Sequence, residues 1–307
     1  MRARPFFSSG AAFALLLAVF AGVGIPRAVA QVRVDIAFKR ALFIRYEPII
    51  AIVTIRNLSG RELELRDEGN RKWFGFQIET AEGRLIPARD PDYELSPVQM
   101  GAGQTLTRAI NLTPLYPLSD YGIYRTKGIV YVAGLNEYFS SSVLNFEITE
   151  GRILWQQRAG VPEGGSGGGI ERTVTLLAHR LPNNTQLYLR IEDEENGRVF
   201  CTHQLGKFLA FRDPEIELDA ANDIHILQSV SAAEYLYSHV DLSGKVLERK
   251  LYNALKTKPS LRRDAGGNIV VVGGIEQAPP DPSAPPQEAP PSVSDRPVPL
   301  PDTGGAE

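Results

Sequence analysis

The sequence predicts an all-β fold of two strand-rich modules followed by a proline-rich tail. Apolar runs of four to ten residues recur between turn signals without a sustained 3.6-residue period, which favours strands over helices. After residue 170 the sequence repeats itself at a spacing of 45 to 49 residues, a period typical of repeated strand units. The last 32 residues hold 10 of the 22 prolines. A segment of this composition has too little apolar surface to form a core.

Residues 1–30 are organised like an export leader. Arginines near the start precede a short apolar stretch at 13–24, and Ala28-Val29-Ala30 supplies an A-x-A cleavage site. The stretch is shorter than the roughly 20 residues of a membrane-spanning helix. We therefore expect a mature chain that begins near Gln31, in the periplasm or outside the cell, with no transmembrane segment after leader removal. An uncleaved N-terminal anchor is the alternative.

The charge of the chain disfavours nucleic acid and anionic lipid as partners. Without the leader, 30 basic residues face 36 acidic ones, a formal charge of −6, and most of the excess lies in the tail. The near-neutral remainder offers no field that steers polyanions. We expect a protein or a polysaccharide of the cell envelope as the partner, and no nucleic acid.

The single cysteine, Cys201, excludes an intramolecular disulfide. Stability in an oxidising compartment must then come from buried apolar area. The thiol either packs inertly beside Val199 and Phe200 or bridges two copies, which would give a homo-oligomer. The sequence leaves both roles open.

The first predicted module spans residues 31–150. In its last apolar run, Leu144, Phe146 and Ile148 alternate with other residues, as expected for a strand with one face in a core. The strongest strand predictions in this module are 48–57, 73–78, 105–112, 123–132 and 142–148.

One local pattern in this module carries a resemblance. The segment from Asp120 to Tyr124 (DYGIY) resembles the tyrosine corner of immunoglobulin-like sandwiches, whose Tyr hydroxyl bonds to backbone just upstream. Thr126 stands where an antibody domain carries its second core cysteine, so the resemblance implies a sandwich without a disulfide. A chance D-x-G-x-Y turn is the alternative, and the resemblance implies nothing about function.

The second predicted module spans residues 171–275, after a linker at 151–170 that ends in a glycine-rich run. Asp219-Ala220 begins a turn and strand that recur at Asp264-Ala265, and the hairpin around Gly197 recurs around Gly244. Because Asp bonds its own backbone in turns and Gly accepts left-handed geometry, we expect structural roles for these residues. The predicted structural residues are Tyr124, Asp120, Asp219, Asp264, Gly197 and Gly244.

The repeated turn-and-strand pattern is similar to the blades of sialidase-like β-propellers. The resemblance implies about two blade-like units of four strands, whereas closed propellers use four or more. The S-x-D-x-G-x-T-W box of the family is missing. The two units would therefore pack alone, or several copies would assemble to close a ring.

No catalytic, cofactor-binding or metal-binding residue is predicted. The four histidines lie in 171–275, and Cys201 shares a strand face with His203, but no second close pair completes the three or four ligands that zinc needs. His225, between two isoleucines, is expected at the surface or at a sheet edge. The acidic run at 192–195 is interpreted as a solvated hairpin tip.

The sequence thus predicts an exported, non-enzymatic binding or scaffolding protein whose ligand it does not identify. Two alternatives remain: a carbohydrate-active hydrolase-like module, suggested by the propeller resemblance, and a structural subunit that assembles through open blades. Residues 276–307 are predicted to be a disordered, acidic tail.

Overall fold

The computed structural model describes residues 31–91, 95–161, 170–193 and 195–277. These residues form strands and turns, with one 3-10 turn at Ala133–Leu135 and no α-helix among them, so the predicted all-β class is confirmed. In the same residues no helix is long and apolar enough to cross a membrane. The predicted leader, the glycine-rich run and residues 278–307 of the tail lie outside the described residues.

The chain divides into two units between Phe208 and Leu209. This division differs from the predicted linker at 151–170, because Arg152–Gly160 is a strand that pairs with Glu171–Arg180 in a single antiparallel ladder. The predicted second module is therefore shared between the units. Backbone hydrogen bonding across the glycine-rich run holds its two flanks together.

The first unit contains a sandwich of two sheets. One sheet has the order β1-β3-β8; the other has the order β2-β11-β9-β5-β6, with β10 paired to β9, and β4 pairs with β7. The strands are β1 (Val32–Phe38), β2 (Leu42–Ile44), β3 (Ile50–Asn57), β4 (Leu63–Leu65), β5 (Phe74–Thr80), β6 (Leu85–Ile86), β7 (Val98–Met100), β8 (Thr105–Asn111), β9 (Gly122–Val132), β10 (Glu137–Ser140) and β11 (Leu144–Thr149).

Alternation of side chains places the sandwich core between the two sheets. In β1, Val32 and Val34 are buried while the residues between them are exposed. They join a cluster with Val53 of β3 and with Phe74 and Val130 of the opposite sheet. Burying such side chains contributes about 1.5–3 kcal/mol each, which is the main stabilising term for a fold without disulfides.

A further four-stranded sheet of the first unit packs against the sandwich. It is an antiparallel meander of β12 (Arg152–Gly160), β13 (Glu171–Arg180), β14 (Thr185–Asp193) and β15 (Arg198–Phe208). Ile44 of β2 joins Leu177 and Tyr188 of this sheet in a buried cluster. A Cβ on Gly151 would lie 2.6 Å from Ile44 Cδ1 and 3.1 Å from Leu177 Cβ, so the absence of a side chain there permits the close approach.

The second unit is built on a five-stranded sheet of order β16-β17-β18-β19-β22, with a separate hairpin β20-β21. Leu227, Tyr237 and Tyr252 of the sheet pack with Leu261 and Ile269 of the hairpin. The strands are β16 (Glu215–Leu218), β17 (Ile224–Ser229), β18 (Glu234–Val240), β19 (Val246–Asn253), β20 (Ser260–Arg263), β21 (Ile269–Val272) and β22 (Ile275–Gln277).

The sequence repeat corresponds to equivalent hairpins. The hairpins β14-β15 and β18-β19 each form the second half of a four-stranded meander, and each has a bulge close to its turn. The two meanders fall in different units, and the described sheets are open. The resemblance to sialidase-like propellers is not confirmed.

Candidate functional site

An apolar groove opens in the sandwich where β8 and β5 lie on opposite sheets. Two adjoining depressions share Phe74, Leu95 and Ile110, and the larger has a volume of about 190 Å³. Aromatic and aliphatic side chains from both sheets form the walls, among them Val53, Ile55, Trp73, Phe76, Leu106, Leu115 and Tyr116. A core that stays open to this extent provides an apolar binding surface.

Strand β8 forms one wall of the groove. Leu106, Arg108 and Ile110 alternate along this strand and line the groove, while within the described part of the chain β8 pairs on one side only, with β3. Arg108 is exposed and forms no ion pair with any described residue. The groove thus combines apolar walls, a free cation and an edge strand, the three elements that bind an extended peptide.

The predicted tyrosine-corner residues lie together at the start of β9. The Tyr124 hydroxyl donates to the Asp120 carbonyl oxygen at 2.8 Å, and the ring stacks on Phe146 at a centroid distance of 5.2 Å. Burial raises the pKa of Tyr124, and the nearby Asp120 carboxylate adds to that rise. The phenol therefore remains a hydrogen-bond donor at neutral pH.

Asp219 and Asp264 occupy equivalent loops, which join β16 to β17 and β20 to β21. Asp219 Oδ1 accepts the amides of Ala221 and Asp223, at 2.8 and 2.9 Å. Asp264 Oδ1 accepts the amides two and four residues later, both at 2.9 Å. Each carboxylate therefore accepts hydrogen bonds from two loop amides, which the turn would otherwise leave without a protein acceptor.

Gly197 and Gly244 lie in the turns of the two equivalent hairpins. Both have a positive φ, 62° at Gly197 and 89° at Gly244, a region that side chains with a Cβ enter at a cost of about 1–2 kcal/mol. The Gly244 turn is a third Asp loop, because Asp241 Oδ1 accepts the Lys245 amide at 2.9 Å. These glycines shape their turns, as predicted from the sequence.

A polar cluster lies in the second unit, around His225. His225 Nδ1 is 2.7 Å from the Tyr237 hydroxyl oxygen and its Nε2 is 3.3 Å from Asp219 Oδ2. The rings of His225 and His239 stack at a centroid distance of 4.1 Å. His225 is 3% exposed, so the predicted surface position was wrong: its side chain lies on the face that packs under the hairpin.

The pKa shifts in this cluster follow from burial and from the mutual contacts of its members. Burial lowers the pKa of His225, and the Asp219 hydrogen bond only partly opposes that effect. Burial alone would raise the pKa of Asp219, but the Asp223 amide and His225 together hold it below its usual value. Burial and the Asp219 charge raise the pKa of Asp223. The cluster therefore presents a neutral imidazole beside an ionised carboxylate.

A second polar cluster joins the sandwich to the sheet of β12–β15. Arg40 contacts both the Glu47 carboxylate and the Tyr188 hydroxyl, and Glu47 also accepts the Ile44 amide. Burial raises the pKa of Tyr188 to about 12, with the Glu47 charge as the next cause. Glu47 and Tyr188 are buried, Arg40 is half-buried, and the three groups are partners of one another, so the cluster is interpreted as structural.

Comparisons with known proteins identify no family. No protein-family model and no curated protein matches the chain. Similar solved structures include the sporulation control protein Spo0M from Bacillus subtilis, with 8% identity and a TM-score of 0.27 over 56% of this chain and 83% of that one. They also include the periplasmic chaperone SfaE, with 11% identity and a TM-score of 0.23 over 71% of this chain and 97% of that one. At these TM-scores neither structure assigns a function to this chain.

Neither the groove nor the histidine cluster was among the features that the sequence predicted. The groove combines strand positions of β3, β5 and β8 with loop residues such as Leu95 and Leu115, and no local pattern marks them as one surface. The cluster had a readable signal: His225 and His239 are paired directly across β17 and β18. Cys201 and His203, whose pairing was considered instead, lie on β15 in the first unit.

Proposed function

We propose that this protein is an exported, non-enzymatic binding module of the cell envelope, and that its sandwich groove takes an extended segment of a partner protein. The observation that carries the proposal is the juxtaposition of an apolar groove with the edge strand β8. An incoming strand would add backbone hydrogen bonds along β8 and place alternate side chains in the groove.

The lining of the groove favours a peptide over a polysaccharide. Most of the surface of the two depressions is apolar, formed by Trp73, Phe74, Leu95, Ile110 and their apolar neighbours, and the charged lining residues are Arg89, Asp90 and Arg108. A sugar chain would leave most of its hydroxyl groups without hydrogen-bond partners there, which is costly on burial. Apolar side chains on alternate positions of a strand match such a surface.

The charge at the groove predicts one further property of the partner. Arg108 lies between Leu106 and Ile110 on the wall, so an acidic residue opposite it gains a charge-assisted hydrogen bond. An inward-facing charge on an edge strand also discourages pairing between copies of the same strand. The expected occupant is therefore a segment with alternate apolar residues and at least one Asp or Glu.

The proposal is tested with a display library of random linear peptides selected on the mature chain. Enriched peptides should alternate apolar residues and carry an acid. Leu115→Glu, at a groove residue that is 39% exposed, should weaken their binding at least tenfold, because burying one leucine contributes about 1.5–3 kcal/mol. Arg108→Glu should weaken acidic peptides selectively.

Leu85→Glu is the matched control, since Leu85 lies on β6 of the same sandwich, is 57% exposed and does not line the groove. Its binding should equal that of the unsubstituted chain. Peptides that bind the Leu115→Glu and Arg108→Glu variants as tightly as the unsubstituted chain would refute a groove-bound partner.

We also propose that the chain has no hydrolase activity. The support is that the sequence lacks an H-E-x-x-H motif and that Asp264 is fully engaged by its own turn. Incubation with a panel of glycans should show no turnover. Turnover that disappears on Asp219→Asn or Asp264→Asn would establish the carbohydrate-active alternative instead.

A further inference from the structure

Three potential metal ligands converge in the second unit. Asp219, His225 and His239 each offer one ligand atom, and these atoms all lie within 4.8 Å of one another. The two histidines are direct cross-strand partners on β17 and β18, and Asp219 is supplied by the loop that precedes β17. Cross-strand pairing holds the two rings side by side.

The imidazoles are oriented as metal ligands require. His225 Nδ1 lies 2.7 Å from the Tyr237 hydroxyl and its Nε2 lies 3.3 Å from Asp219 Oδ2, so an ion bound at Nε2 would take the place of a shared proton while the hydroxyl accepts the Nδ1 hydrogen. Such a hydrogen bond on the second ring nitrogen is the usual device that fixes the tautomer of a metal-bound histidine. His239 Nε2 is buried and has no hydrogen-bond partner among the described residues; its nearest acid is Asp223 Oδ2, at 3.5 Å.

The equivalent positions of the repeat show that the scaffold does not require these side chains. Tyr188 and Tyr237 occupy the same place in their meanders, and the cross-strand pair matching His225 and His239 is Thr175 and Arg190. A pair of stacked histidines is therefore not needed to build this hairpin. Their presence in one copy alone points to a role beyond folding.

The second carboxylate oxygen has a different partner in each of the two equivalent Asp loops. Asp264 Oδ2 bonds within its own loop, to Asn268 Nδ2 at 3.1 Å. In the equivalent loop of Asp219, where Asp223 stands in place of Asn268 and offers no side-chain amide, Oδ2 instead faces His225. The second carboxylate oxygen thus points at a histidine in the copy that has histidines and stays within its own loop in the other copy.

We propose that Asp219 Oδ2, His225 Nε2 and His239 Nε2 bind a divalent transition-metal ion of the zinc class, with Asp223 or water as the fourth ligand. Zinc ligands at about 2.0–2.2 Å and tetrahedral angles lie roughly 3.3 Å apart, so small side-chain rotations close the site. Two imidazoles with carboxylates suit Zn²⁺ or Co²⁺ and disfavour Ca²⁺ and Mg²⁺. The ion would also neutralise the two adjacent carboxylates.

The test uses Co²⁺ and Zn²⁺ added to the full mature chain after treatment with a chelator. Co²⁺ should give the intense visible bands of a tetrahedral site, and Zn²⁺ should displace it at one ion per chain. His239→Gln should abolish the bands and weaken Zn²⁺ binding at least tenfold. His239→Cys should restore binding and add a sulfur-to-cobalt charge-transfer band, which a merely structural histidine would not produce.

Two control variants separate this site from other metal-binding groups. His203→Gln changes a histidine of the first unit, and Asp264→Asn changes the equivalent loop; neither should alter the Co²⁺ spectrum. Circular dichroism tests whether each variant folds. If the His225→Gln variant does not fold, the Asp223→Asn variant is measured in its place. Either of two results would overturn the proposal. One is a pale octahedral Co²⁺ spectrum with the unsubstituted chain. The other is a Zn²⁺ affinity of the His225→Gln/His239→Gln double variant equal to that of the unsubstituted chain.

Discussion

Replacing Tyr124 by Phe should destabilise the first unit by about 1 kcal/mol. The substitution removes one hydroxyl and leaves the ring stacked on Phe146, where the centroids are 5.2 Å apart and the planes differ by 9°. The loss is therefore the 2.8 Å bond to the Asp120 carbonyl. A fully buried orphan acceptor costs about 1–3 kcal/mol, and the exposure of Asp120 lets water replace part of the bond.

The measurement is urea unfolding followed by tryptophan fluorescence, since Trp73 lies in the sandwich core. In a parallel thermal melt, the same loss of about 1 kcal/mol lowers the melting temperature by about 2–4 °C for a unit of this size. Tyr121→Phe is the control, because Tyr121 is 46% exposed and its hydroxyl accepts from the half-buried Arg45 side chain at 3.3 Å. Equal stability of Tyr124→Phe and Tyr121→Phe would show that ring packing, and not the hydroxyl, holds the corner.

Three further predictions concern stability. Gly151→Ala should cost about 1–3 kcal/mol in urea unfolding, because its Cβ would meet Ile44 at 2.6 Å; Gly134→Ala, with open space around it, should cost far less. Asp264→Ala should lower the melting temperature of the second unit, since two loop amides lose their acceptor. The raised pKa of Tyr188, about 12, keeps its proton in the folded chain after the unfolded chain ionises near pH 10. Stability should therefore fall by roughly 3 kcal/mol as pH rises from about 10 to 12, and less steeply in Tyr188→Phe.

The strands of the sandwich could be predicted because their side-chain pattern is local. Phe146 and Ile148 alternate toward the core in β11 as the sequence indicated, and the predicted 123–132 run matches β9 within one residue. The period-two pattern fixes which face is buried without any knowledge of the partner strand. The same pattern in Val32, Val34 and Ile36 of β1 was equally readable.

The unit boundary could not be predicted from composition. The glycine-rich run suggested a linker, yet β12 before it and β13 after it pair from Arg152 to Gly160. Closing a longer flexible loop costs little more entropy than closing a short one. Two strands can therefore pair across a flexible loop whose composition resembles that of a linker. A glycine run therefore indicates a hairpin connection as readily as a domain boundary.

The histidine cluster shows how a ligand site in a meander can be found from sequence. Metal motifs are usually sought as close pairs along the chain, and His225 and His239 are too far apart in sequence for that search. In an antiparallel hairpin, however, residues equidistant from the turn become neighbours, and these two are paired in register across β17 and β18. Once the two strands are predicted, their register alone places the imidazoles side by side, and a turn aspartate just before β17 becomes the natural third ligand.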